Sequence, residues 1–218
     1  MAVGPGRLSD GPHSPPTGRQ AKTLESVVTS AHGRYHEAAS RGVVFGACEQ
    51  AGVAPGTALG TTACLALYNP RGTGKILSIL KVSLGYISGT LGAGTVFHCA
   101  NIITDSAAFS AIAAPSSGTA LNIYNRGMGI VLTNELDDPV ATCRSAATVT
   151  PPVAIRPFCS FGASLASTAI APWQITEDIG GGIVVFPGFC YQLQGITAAG
   201  SSPLVAPAVE WEEIPYIP

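Results

Sequence analysis

From Val43 onward, short runs of Val, Ile, Leu, Phe and Tyr alternate with clusters of Gly, Pro, Asn and Ser. β-Branched and aromatic side chains fit a pleated, half-buried surface, and the clusters supply turn conformations, so the rhythm is that of strands joined by tight turns. It predicts strands over 43–48, 62–68, 76–87, 95–99, 120–124, 130–133, 153–159, 183–186, 189–195 and 209–214. After Gly42 no apolar spacing sustains a long helix. Many short strands in one chain imply a sandwich or barrel, and a jelly roll is the natural member at this size. In the last run Val209, Trp211 and Glu213 share one strand face, and Glu210, Glu212 and Ile214 share the other. Trp211 is therefore expected to point inward, with Glu210 and Glu212 toward water or a neighbour.

The N-terminal part reads differently. Residues 1–19 hold four Pro and four Gly and cannot bury enough apolar surface to offset their ordering entropy. Leu24, Val27, Val28 and Ala31 are spaced like one helical face, and residues 35–41 suit a short helix ended by Gly42. The expected organisation is an extended arm over 1–42 and an all-β, jelly-roll-like sandwich over 43–218. Leu24, Val27, Val28 and Tyr35 of the arm, with Glu210 and Glu212, are the candidate interface residues.

Composition sharpens this picture. Charged residues make up only 11% of the chain and hydrophobic ones 46%, against about 25% charged in ordinary soluble domains. Lys81 interrupts the longest apolar run, so no segment reaches the ~20 apolar residues of a spanning helix. A surface this poor in charge is expected to be covered by other subunits. The net charge is −2 with no basic cluster, so nucleic-acid binding has no electrostatic footprint. The first residues lead into Ser, Asp, Gly and Pro rather than an apolar leader. The six cysteines are scattered without C-x-x-C spacing and sit in apolar surroundings, which reads as reduced, buried thiols.

Candidate chemistry is sparse. Residues 69–75, Asn-Pro-Arg-Gly-Thr-Gly-Lys, resemble a phosphate loop but lack its first Gly and its final Ser/Thr, and read as a β-turn. A similar Tyr-Asn-Arg-Gly-x-Gly stretch recurs at 124–129, so two β-turn-β units are expected. His32 and His36 lie four apart but lack further ligands, and His98 and Cys99, adjacent on a strand, point to opposite faces. The acidic doublets Asp137-Asp138, Glu177-Asp178 and Glu212-Glu213 are not the separated, converging carboxylates of a glycosidase. No catalytic residue, cofactor site or metal site is expected.

The stretch from Gly33 to Phe45, the segment Gln50-Ala-Gly-Val53, the turn Leu67-Tyr-Asn-Pro-x-Gly-x-Gly-Lys75 and the close Trp211-Glu-Glu-Ile-Pro215 together resemble virion structural proteins of tailed bacteriophages. The similarity is to the jelly-roll-like decoration or cement proteins of the head. It implies a homotrimer on the capsid surface, bound to the major capsid protein and assembled in the host cytoplasm. A tail or head-fibre module for host recognition is the alternative that the same architecture serves, and a glycan depolymerase on a β scaffold is a third.

Overall fold

The structure, a computed structural model, describes residues 19–20, 26–27, 34–90, 92–101, 106–127, 138–161, 174–198 and 202–216. The chain divides into two compact units, Met1–Glu37 and Ala38–Pro218. In the first, β1 (Arg19–Gln20) pairs antiparallel with β2 (Ser26–Val27). Val27 therefore lies in a strand and not on the expected helical face; Leu24, Val28 and Ala31 fall outside the described residues. The short helix is present as α1 (His36–Ser40). It ends at Gly42, whose φ of 72° is the left-handed turn that glycine adopts without a Cβ clash.

The second unit is a sandwich of two antiparallel sheets. Eight strands form its frame: β3 (Val44–Cys48), β4 (Thr62–Tyr68), β5 (Lys75–Ser88), β6 (Gly94–Ala100), β10 (Val153–Phe161), β11 (Gln174–Val185), β12 (Cys190–Thr197) and β13 (Leu204–Pro215). One sheet runs β11-β5-β13-β3 and the other β10-β6-β12-β4. That crossing pattern is the double Greek key of a jelly roll. The segment between β6 and β10 adds α2 (Ser106–Ala111), β7 (Thr119–Ala120), β8 (Ile123–Asn125) and β9 (Thr142–Thr148). It widens both sheets: β8 extends the first to five strands, and β9 and β7 extend the second to six.

Three expectations are corrected. The run 120–124 divides into β7 and β8, which join different sheets. β9 was not foreseen, because Thr-Cys-Arg-Ser-Ala-Ala-Thr offers little apolar bulk. It is nonetheless a strand with Cys143, Ser145 and Ala147 buried, paired along its length with β4. The run 130–133 lies outside the described residues. β11 starts earlier than expected, at Gln174, and carries a register break between Asp178 and Ile183. Gly180 and Gly181 take φ of 59° and 86° there, and a Cβ on Gly181 would lie 2.9 Å from Ser78 Oγ. The expected strand, 183–186, follows these glycines, whereas they bend a strand that already runs from Gln174.

The inward faces meet in one core that includes Trp211, Tyr191, Leu65, Leu77, Ile79 and Leu193, each less than 2% exposed. Phe45 stacks on Trp211 at 6.2 Å between ring centroids. The outer face of the six-stranded sheet is strapped by the chain's own loops. Gln194, fully buried, accepts a hydrogen bond from Gly60 N (2.8 Å) and donates one to Gly60 O (3.0 Å). Gln192 beside it donates to Thr150 O at 3.2 Å. Ala63, Ala66 and Ala147, with Tyr68, Val149 and Cys190, form a second small cluster under these straps, and their short side chains let the loops lie close.

Candidate functional site

Strand alternation decides what the acidic doublets do. Glu177 points into the sandwich while Asp178 is exposed; Glu213 is 2% exposed while Glu212 is half-buried. Glu177 is then held by the opposite sheet. Glu177 Oε2 meets His98 Nε2 at 2.9 Å, and His98 Nδ1 meets the Tyr191 hydroxyl at 2.5 Å. Arg156 on β10 closes the group with an ion pair to Glu177 Oε1. An ionised carboxylate only accepts, so His98 carries its proton on Nε2 and its Nδ1 accepts from Tyr191. A carboxylate, an imidazole and a hydroxyl in a row have the composition of a nucleophilic relay. The hydroxyl end is sealed, however: His98 is 0% exposed and Tyr191 1% exposed. No substrate reaches it as it stands, and the group ties the two sheets together.

Burial lowers the pKa of His98, against the opposing pull of the Glu177 carboxylate, and raises that of Tyr191 well above its ordinary value. Protonating Nδ1 would also force Tyr191 to accept, leaving its own proton to seek another partner. A histidine whose folded pKa is depressed contributes its full stability above the unfolded value of 6.5, and loses it as pH falls below 6.5 toward the folded value. Thermal melts from pH 7.5 to 5 should show stability falling with a slope of at most about 1.4 kcal/mol per pH unit from this group. His98→Gln should be less stable at pH 7.5 but flatter across that range. An unchanged slope in the variant would remove His98 from the account.

Two more buried carboxylates act alike. Glu49, just past β3 and 6% exposed, accepts from Ala51 N at 2.8 Å and from the Ser145 hydroxyl of β9. Glu213 accepts from Val140 N (3.0 Å), Ala141 N (3.3 Å) and Trp211 Nε1 (3.3 Å), and pairs with Lys75 Nζ at 3.4 Å. Sequence reasoning missed all three ties. The alternation of the doublets on strands was the available signal for Glu177 and Glu213, whereas nothing local marks Glu49 or His98.

The apparent phosphate loop is a turn, as its sequence suggested. Asn69, fully buried, donates to Lys75 O (2.8 Å) and Val185 O (3.0 Å) and accepts from Thr73 Oγ1 (2.9 Å). It bridges β4 and β5, which belong to different sheets. In the second Tyr-Asn unit Asn125 donates to Gly42 O instead, and the strand expected after it lies outside the described residues.

The candidate interface residues that the structure describes belong to both units. Val27 lies in the first unit's strand pair, and Tyr35, in the turn before α1, is half-buried with Arg34 over its ring at 5.4 Å. Glu210 and Glu212 stand together on the outer face of the five-stranded sheet, paired with Arg126 (3.2 Å) and Arg41 (3.6 Å).

All six cysteines are free thiols, five of them buried and Cys48 half-buried. Burial pushes Cys64 and Cys143 up to about 12 and Cys99 and Cys159 up to about 11. Cys48 is raised by burial and then by the neighbouring Glu49 charge. A disulfide-exchange reagent at neutral pH should modify at most Cys48 rapidly in the native protein and all six after denaturation. Rapid native reaction of several thiols would contradict this packing.

Two open grooves lie on the described surface. One, about 560 Å³, lies over Phe97, Phe161 and Ile196; the other, about 470 Å³, lies over Tyr68, Pro70, Leu121 and Ile123, with Arg144 at its rim. Arg144 donates to Ser117 O at 2.9 Å. Among the described residues no group of three or more His, Cys, Asp or Glu is arranged to hold a metal ion, and no helix is long and apolar enough to cross a membrane. No protein-family model matches the chain, and no curated protein or solved structure matches it.

Proposed function

We propose that the protein is a structural subunit of a virion shell, in the decoration role that its resemblance implies: it binds the outside of a phage capsid and stabilises it without catalysis. The observation that carries this reading is the division of labour among side chains. The buried ionisable groups His98, Glu49 and Glu213 are each engaged in ties within the sandwich, while large apolar side chains such as Ile155 (49%) and Phe186 (43%) stand exposed. Chemistry is turned inward and stickiness outward, which suits a subunit covered by neighbours. The jelly roll, a fold recurrent among capsid proteins, supports the reading by analogy.

That topology favours a second reading, in which the chain tiles the shell itself. The two separate on expression alone: a shell-forming subunit assembles into closed particles visible by electron microscopy, and a decoration protein stays a small oligomer. The test against the host-recognition alternative is copy number in purified virions, measured by quantitative mass spectrometry. Hundreds of copies per particle are expected. A few to a few tens would reassign the protein to the tail.

A further inference from the structure

The two outer faces of the sandwich differ. The six-stranded sheet is strapped by its own loops, whereas six of the nine exposed large apolar side chains among the described residues lie on the five-stranded sheet's outer face or at its rim: Ile87, Tyr124, Val184, Phe186, Leu204 and Tyr216. Strand register places them. Ile87 and Leu204 stand together at one end of β5 and β13, both within reach of a Cβ placed on Gly52. Val184, the register partner of Ser78, and Phe186, just past β11, stand at the opposite end, and Tyr216 packs edge-on against Phe186 at 5.4 Å.

Between the apolar ends runs a row of alternating charge. Asp178 on β11 is the register partner of Lys81 on β5, which is the partner of Glu210 on β13. Arg126 reaches across β3 to Glu210, and Gly46 of β3 leaves room there for the Tyr124 ring. Across the sheet the signs read minus, plus, minus, plus. With Glu212 and Arg41, the described residues of the row and its flank are three acidic and three basic groups, which balance. Between this row and the Ile87 end the face is flat, with Ser83, Gly85, Ala206 and Ala208 in register.

We infer that two copies of this chain meet face to face through this surface, about a two-fold axis parallel to the strands between β5 and β13. This pairing rests on the reading of the protein as an assembly subunit and adds the surface and the symmetry. Such an axis reverses the row of one copy against the other. Lys81 then faces the second copy's Glu210, and Asp178 faces its Arg126. The axis leaves height along the strands unchanged, so Ile87 and Leu204, which flank it, meet their own counterparts, while Val184 and Phe186 on the β11 side lie across from the second copy's β3 side; the flat row lets the sheets close. The surface is complementary to itself in sign along the row and in apolarity where Ile87 and Leu204 flank the axis, which an isologous contact requires. The smallest closed unit is a dimer, where the resemblance implies a trimer.

Sedimentation velocity of the full chain at micromolar concentration tests this. The expected species has the mass of two chains of 22.1 kDa each. Lys81→Glu sets like charges against each other across the axis and should weaken pairing at least about ten-fold; Glu210→Lys should do the same. The double variant restores opposite signs at every crossing and should recover the dimer. Ile87→Ser should weaken pairing through the apolar end that flanks the axis without altering the charge row. Near-ultraviolet circular dichroism establishes which variants are folded. A monomeric or trimeric wild type, or folded single variants with unchanged mass, overturns the inference. Particle stabilisation by a protein that is monomeric in solution would leave the decoration role standing while the pairing falls.

Discussion

Replacing Trp211 by Ala should cost about 3–5 kcal/mol, the range for removing a large aromatic from a packed core. Trp211 is 0% exposed at the centre of β13, stacked on Phe45 and paired across the sheet with Ile79 and Phe45 backbone positions. Domains of this kind have only about 5–15 kcal/mol to lose. The variant should therefore melt far below the wild type in guanidinium chloride, with an unchanged slope if unfolding stays two-state. A loss under about 1 kcal/mol would mean that the strand's inward face is not the core.

Glu213→Ala should be comparably damaging, by about 3–5 kcal/mol, for a different reason. Its carboxylate accepts from two backbone amides and the Trp211 indole, and neutralises Lys75, whose side chain is 16% exposed. Removing it takes a partner from the Lys75 ammonium and from three donors at a buried seam. Glu213→Gln keeps the shape and one acceptor but loses the charge opposite Lys75, so it should fall between Ala and wild type. Because the Trp211 indole donates to Glu213, the Trp211→Ala/Glu213→Ala double variant should lose less than the sum of the singles. Strict additivity, measured by denaturant titration, would show that the two act independently.

The frame of the fold was legible because its strands obey local rules. The run 62–68 of Thr-Ala-Cys-Leu-Ala-Leu-Tyr is β4 to the residue, and Gly42 ends α1 as its sequence implies. β9 escaped because its burial comes from pairing with β4, not from its own bulk, and Cys143 and Ala147 are small. The first part of β11 escaped because a register break with positive-φ glycines looks, from composition, like a loop. The inter-sheet ties were illegible for a topological reason: His98 and Glu177 are joined across 79 positions of chain and Glu49 and Ser145 across 96. No local spacing encodes such meetings. Glu210 and Glu212 were read as outward-facing from alternation alone, and their half-buried positions on the outer sheet face agree with that.

The central claim is that this protein serves by reinforcing a shell. Virions lacking it should be heated alongside virions to which the purified full chain has been added back, with release of the packaged genome as the readout. A component that binds only the assembled state stabilises it by mass action. The account predicts a higher disruption temperature on addition, saturating at a fixed, symmetric number of copies. Particles that are equally stable without the protein but fail to adsorb to cells would contradict it and assign the chain to host recognition.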